Sequence, residues 1–120
     1  MTSPRTHRAI AIMFASAASL TLFSAGRVAR AEDVKTFELV LQNDAFTPSD
    51  LKVPANKPFI LKVSNRESAG VEIEAKDLKI EKIVAAGGDV ITHVRAMKPG
   101  KYLLVNEYKE ETVKTYVTVE

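Results

Sequence analysis

From residue 36 onward the chain alternates apolar and polar side chains with a period of two. Phe37, Leu39 and Leu41 interleave with Glu38, Val40 and Gln42, which predicts a half-buried strand over Thr36–Gln42. The stretch Asn43-Asp44-Ala45-Phe46-Thr47-Pro48 reads as a turn into a second strand, with Leu51 and Val53 on one face. Residues 54–58 end that strand. Phe59, Leu61 and Val63 mark a third, closed by Asn65, and Val71, Ile73 and Ala75 against Glu72 and Glu74 mark a fourth. Residues 77–84, carrying Leu78, Ile80, Ile83 and Val84, read as a further strand, with Gly87-Gly88 as a hairpin turn after it. Val90–Val94, the run from Tyr102 to Tyr108, and Lys114–Val119 complete the set. Seven or eight short strands, with turn signals about every ten residues and no amphipathic helix pattern, predict an all-β sandwich or Greek-key barrel.

The first thirty residues do not share this pattern. Arg5, His7 and Arg8 form a basic head, residues 9–23 are apolar and uncharged, and Ala29-Arg30-Ala31 fits a cleavage site. This is the layout of a secretory signal peptide over residues 1–31, cleaved after Ala31. The apolar run is short for a transmembrane helix; a retained anchor is the competing reading. The expected mature domain is 32–120, exported to the periplasm. Four of the 17 basic residues (Arg5, Arg8, Arg27 and Arg30) precede the cut, so 13 remain against 15 acidic ones, and the formal charge changes from +2 to −2. Lysine and glutamate are interspersed in the mature part, which argues against a nucleic-acid surface. The chain has no cysteine. Disulfides, cysteine-ligated zinc, iron–sulfur clusters and thiol catalysis are therefore excluded.

The most informative stretch is Pro99-Gly100-Lys101-Tyr102-Leu103-Leu104-Val105-Asn106-Glu107-Tyr108-Lys109. A Pro-Gly turn leads into an apolar strand and then a polar loop. This resembles the penultimate strand of a cupredoxin, which ends in Cys-x-x-His. Here Asn106 stands at the cysteine position and Lys109 at the histidine position, while the first histidine ligand of the family falls at Val71. A blue-copper site needs two histidines and a thiolate. The resemblance therefore implies a cupredoxin-like Greek-key β-sandwich with no type 1 copper. His93 is expected on a solvent-facing strand, Met97 in the core or at its rim, and Tyr102 and Tyr108 as packing residues.

The acidic residues are the remaining candidates. Glu72 and Glu74 lie two apart on one strand, so they leave the same face about 6.5–7 Å apart. In a cupredoxin arrangement the Val71 region meets the Asn106 loop, which would bring Glu72, Glu74, Glu107 and Glu110 or Glu111 together. Oxygen-only ligands suit hard cations such as Fe³⁺ and Mn²⁺. The alternative is a solvated charged face neutralised by Lys76, Lys79, Lys82 and Lys109. Asp77 and Glu81 read either as an outer part of the site or as local surface charges.

The combined segments Phe46-Thr47-Pro48, Leu51-Lys52-Val53-Pro54, Asn65, Glu72 to Leu78, Glu81 to Val84, and Lys98 to Tyr108 are similar to exported cupredoxin-like components of bacterial Ftr/Efe-type iron-uptake systems. That resemblance implies an accessory protein that binds an iron or copper ion. It also implies help in oxidising ferrous iron for an inner-membrane iron permease, with the permease and other periplasmic components as partners. Carried onto this sequence, the metal role falls on Glu72, Glu74, Glu81 and Glu107. Relatives that keep a histidine where Lys109 stands make this chain a metal handler rather than an independent enzyme. The alternative function is a metal-free interaction module that docks onto a membrane oxidase or permease.

Overall fold

Nine short strands form two facing sheets in the computed structural model, which describes Thr2 and residues 33–120. The expected signal peptide, residues 1–31, lies outside the described residues apart from Thr2. The strands are β1 (Thr36–Gln42), β2 (Ala45–Thr47), β3 (Asp50–Val53), β4 (Phe59–Asn65), β5 (Val71–Ala75), β6 (Ile80–Val84), β7 (Asp89–Val94), β8 (Gly100–Asn106) and β9 (Lys114–Val119). One sheet has the order β2-β1-β4-β7 and the other β3-β9-β8-β5-β6. β1 pairs parallel with β4, and β3 parallel with β9. Parallel neighbours cannot be joined by tight hairpins, so the chain crosses between sheets, as in a Greek-key sandwich.

The local reasons are in the sequence. Asn43 and Asp44 both adopt positive φ, 54° and 57°, in the two-residue loop between β1 and β2. Positive φ at both loop positions is what a type I′ hairpin demands, and Asn and Asp tolerate it best among residues with a Cβ. The segment expected as a turn thus contains a three-residue strand, β2. Residues 77–84 split: Lys76–Leu78 is a 3₁₀ turn closed by Lys79 at φ 59°, and only Ile80–Val84 is strand. Leu78 and Ile80 are both buried on either side of exposed Lys79, a pattern that a continuous strand would also give.

The Gly87-Gly88 turn is real but joins no hairpin. β6 pairs only with β5, and β7 only with β4. The turn instead carries the chain from one sheet to the other. Gly87 takes φ 71°, and the Gly88 amide donates to Ala85 O at 2.9 Å. A side chain at Gly87 would meet no clash, but its backbone would be strained.

Leu39, Leu41, Leu61 and Val63 from the first sheet meet Ile73, Leu104, Val117 and Val119 from the second, all at most 2% exposed. Phe37 and Phe59 stack edge to face at one end, with centroids 5.9 Å apart. Met97 is buried and His93 exposed, both as expected. Tyr108 departs from expectation: it is 59% exposed rather than packed, because the chain turns into a second 3₁₀ segment, Glu107–Lys109. Tyr102 does pack, and its hydroxyl donates to Lys98 O at 2.7 Å. This is a tyrosine corner, which pins the turn before β8. Replacing Tyr102 by Phe removes that one bond. We expect a loss of about 1 kcal/mol, read as a fall in Tm of about 4–8 °C in thermal unfolding.

Candidate metal centre

β5 sends Val71, Ile73 and Ala75 inward and leaves Glu72 and Glu74 on the outer face, half-buried. Its neighbours place more carboxylates on that face. Glu81 of β6 lies directly opposite Glu74. On the other side β8 pairs Asn106 with Ile73, so the next position along, Glu107, falls beside Glu72. Three of these residues converge: single carboxylate oxygens of Glu72, Glu81 and Glu107 lie within 4.8 Å of one another. Glu74 shares the face but turns part of its charge to Lys76, whose Nζ is 3.4 Å from Glu74 Oε1.

Like charges opposed across a sheet are destabilising. One group answers the strain by holding its proton. Glu107 is raised from 4.5 to about 7, first by sharing that proton with Glu74 and then with Glu72, with some loss of solvation and the two negative charges adding to the effect. The four glutamates expected to act together do share one face. Glu110, Glu111 and Asp77 stand aside from the cluster and line a neighbouring groove with Glu74.

The location differs from the end of the sandwich where the resemblance would put copper. Strand alternation explains it. Val71 and Asn106, the copper positions, point inward and are 3% exposed, while Glu72 and Glu107, one residue along, point outward. The acidic cluster is therefore behind the position where the resemblance would put copper, on the opposite side of the same two strands.

The copper end has its own chemistry. Val71 is part of the core. Asn106 Oδ1 accepts from the Tyr108 amide at 3.2 Å. Lys109 Nζ donates to both carboxylate oxygens of Asp44, at 2.9 and 3.1 Å. An aliphatic group, an occupied amide and an ammonium supply no soft ligand, so copper does not fit there. The residue this end adds is Asn65, fully buried. Its Nδ2 donates to Ala69 O at 2.9 Å and to Val84 O and Ala85 O at 3.1 Å, and its Oδ1 accepts from the Glu67 amide at 2.9 Å. In the sequence it marks a strand end and one position of the family resemblance; its partners appear only once the end of β6 is placed beside it.

The fold and the missing ligands together define a cupredoxin-like sandwich without the blue-copper centre. The chain matches the family of the cupredoxin-like domain over residues 9–119 and belongs to it. An uncharacterized protein of Rickettsia prowazekii (strain Madrid E) is 24% identical over 88 residues, which cover 73% of this chain and 70% of that protein. Among solved structures, the fold is similar to the metal-binding domain of the Cu(I)-exporting P-type ATPase CopA of Streptococcus pneumoniae. The TM-score is 0.63 at 12% identity, covering 72% of this chain and 94% of that one. It is also similar to auracyanin B, with a TM-score of 0.60 at 18% identity, covering 72% and 88%. At these identities the likeness is one of fold.

Proposed function

We propose that this chain is a periplasmic accessory protein of iron uptake that holds a hard cation on the outer face of its five-stranded sheet. Glu72, Glu81 and Glu107 are the ligands, with Glu74 as their neighbour, and an inner-membrane iron permease is the destination of the ion. The observation that carries the reading is the convergence of three carboxylate oxygens within 4.8 Å. An ion with metal–oxygen bonds of about 2.0–2.6 Å spans two such atoms with little side-chain movement. All the donors are oxygens, which favours Fe³⁺ or Mn²⁺ over Cu⁺. Glutamates bind the ion but bring no redox group of their own, so oxidation of ferrous iron at this face would use an oxidant or oxidase supplied by a partner.

Calorimetric titration tests this with Fe²⁺ under anaerobic conditions, and with Mn²⁺ and Cu²⁺ separately. We expect saturable uptake of one ion, with affinity falling about tenfold or more in the double variant Glu72→Gln/Glu107→Gln, because charge count sets affinity at carboxylate sites. Both substitutions are on the outer face, so the variant should keep its fold. Equal, weak responses from the two proteins would sink the reading.

A further inference from the structure

Beside the carboxylate cluster, the same face carries an apolar groove. β8 sends Leu103 and Val105 outward, alternating with the inward Leu104 and Asn106. Val105 lies between Glu74 of β5 and Lys114 of β9, and Leu103 lies opposite Tyr116. Val105 is 9% exposed, buried between its strand neighbours but outside the main core cluster, and Leu103 and Tyr116 remain 44% and 41% exposed. The first 3₁₀ turn raises one wall, with Asp77, and the loop after the second raises the other, with Glu110 and Glu111. The groove between them has a volume of about 510 Å³.

We propose that this groove is the docking site for a segment of a partner protein that presents one large apolar side chain flanked by lysine or arginine. The floor of Leu103 and Val105 matches the apolar side chain. The walls match the charge: four carboxylates face two ammonium groups, and one of these, Lys76, is already paired with Glu74. Glu72, Glu81 and Glu107 continue the negative face next to the groove. Lys76 and Lys79 lie among these carboxylates, but the excess of negative charge in the groove walls still steers a basic partner and disfavours acidic ones.

The same charge argues against other occupants. A second copy docking face to face would oppose like charges across a two-fold axis. An anionic membrane surface would be repelled. A small molecule would find an open trough rather than an enclosing cavity. The proposal rests on the groove and its walls, and not on whether the glutamates take a cation.

The test is an NMR titration of the ¹⁵N-labelled full chain with two synthetic octapeptides, with EDTA present throughout so that cation binding plays no part. One peptide centres on Lys-Phe-Lys and the other, its control, on Lys-Ser-Lys. Saturable shifts at Leu103, Val105, Glu110 and Lys114 with the first, and an affinity about tenfold lower for the control, are the expected results. The exposed substitution Leu103→Ser should also weaken the first peptide about tenfold, while Glu110→Lys with Glu111→Lys should remove the salt dependence. Equal affinity for both peptides, or no saturable shift at the groove, would overturn the proposal. So would a concentration-dependent dimer in sedimentation that Leu103→Ser abolishes, since the occupant would then be a second copy.

Discussion

Asn65→Leu lowers the unfolding free energy by about 3–5 kcal/mol, one of the largest losses expected from a single polar side chain here. The size follows from what is stranded. The Asn65 amide group has two hydrogens and serves three carbonyls, Ala69 O, Val84 O and Ala85 O, so one hydrogen is shared. Its oxygen accepts from the Glu67 amide. Leucine has the same branched skeleton, is larger, and satisfies none of these, so crowding adds to the loss. Each buried group left unpaired costs about 1–3 kcal/mol, and solvent can reach only some of them. The backbone amide of Asn65 also donates to Gly88 O at 2.8 Å. The residue thus joins the end of β4 to the loop before β5 and to the crossing between sheets. A domain of this size without disulfides has little stability to spare. The expected fall in Tm is about 15–25 °C, measured by circular dichroism against the wild-type chain. A fall of only a few degrees would mean that water replaces the amide, and that the crossing is not held at this point.

Asn65 also shows where sequence reading stops. Its identity and its place at a strand end are plain from the chain, but its side-chain partners lie up to 20 residues away. They become neighbours only because β6 and β7 belong to different sheets. The double glycine suggested a hairpin, and local turn chemistry is identical in either case; only the pairing of β7 with β4 separates them. Strands whose inward residues recur strictly at every second position, Thr36–Gln42, Phe59–Asn65, Val71–Ala75 and Lys114–Val119, were legible to their ends. Residues 77–84 were not, since the buried positions Leu78, Ile80 and Val84 keep the spacing of a plain strand and so hide the 3₁₀ turn that Lys79 closes.

The candidate site was legible for a related reason. Glu72 and Glu74 on one strand and Glu107 beside a recognisable landmark fix three positions once the strands are placed. Glu81 follows from the register of β6 against β5. What the sequence did not reveal was the face. A copper position and its acidic neighbour differ by one residue, which on a strand is the difference between core and solvent. The groove over Leu103 and Val105 was hidden in the same way. Four apolar residues in a row, Tyr102 to Val105, look like a strand buried on both sides, yet Leu103 faces outward and stays exposed.

The proton on Glu107 makes a second prediction, in the pH dependence of stability. Its folded value is about 7 against 4.5 for the free side chain, so between those values the folded chain holds a proton that the unfolded chain has released. Stability then falls as pH rises. The contribution is fully present below about 4.5 and lost as pH passes through about 7, after which the curve should level. Asp89 does not confuse this window. It is lowered from 3.8, chiefly by a hydrogen bond from Ser64, and so acts with the opposite sign at more acid pH. Glutamine at position 107 mimics the protonated acid, since its amide still donates to Glu74 or Glu72 and carries no charge. Glu107→Gln should therefore flatten the slope between 4.5 and 7 and unfold at a higher temperature than the wild type near pH 8. Because the glutamate is exposed, 1 M salt should shrink the difference between the two proteins. Excess Mn²⁺ near pH 8 separates repulsion from binding. A bound cation relieves the same crowding and adds its own linkage, so it should raise the Tm of the wild type and leave Glu107→Gln nearly unmoved. An unchanged slope in Glu107→Gln would show that the carboxylates of β5 do not share a proton with it. The crowded face would then be no more than a solvated row of charges.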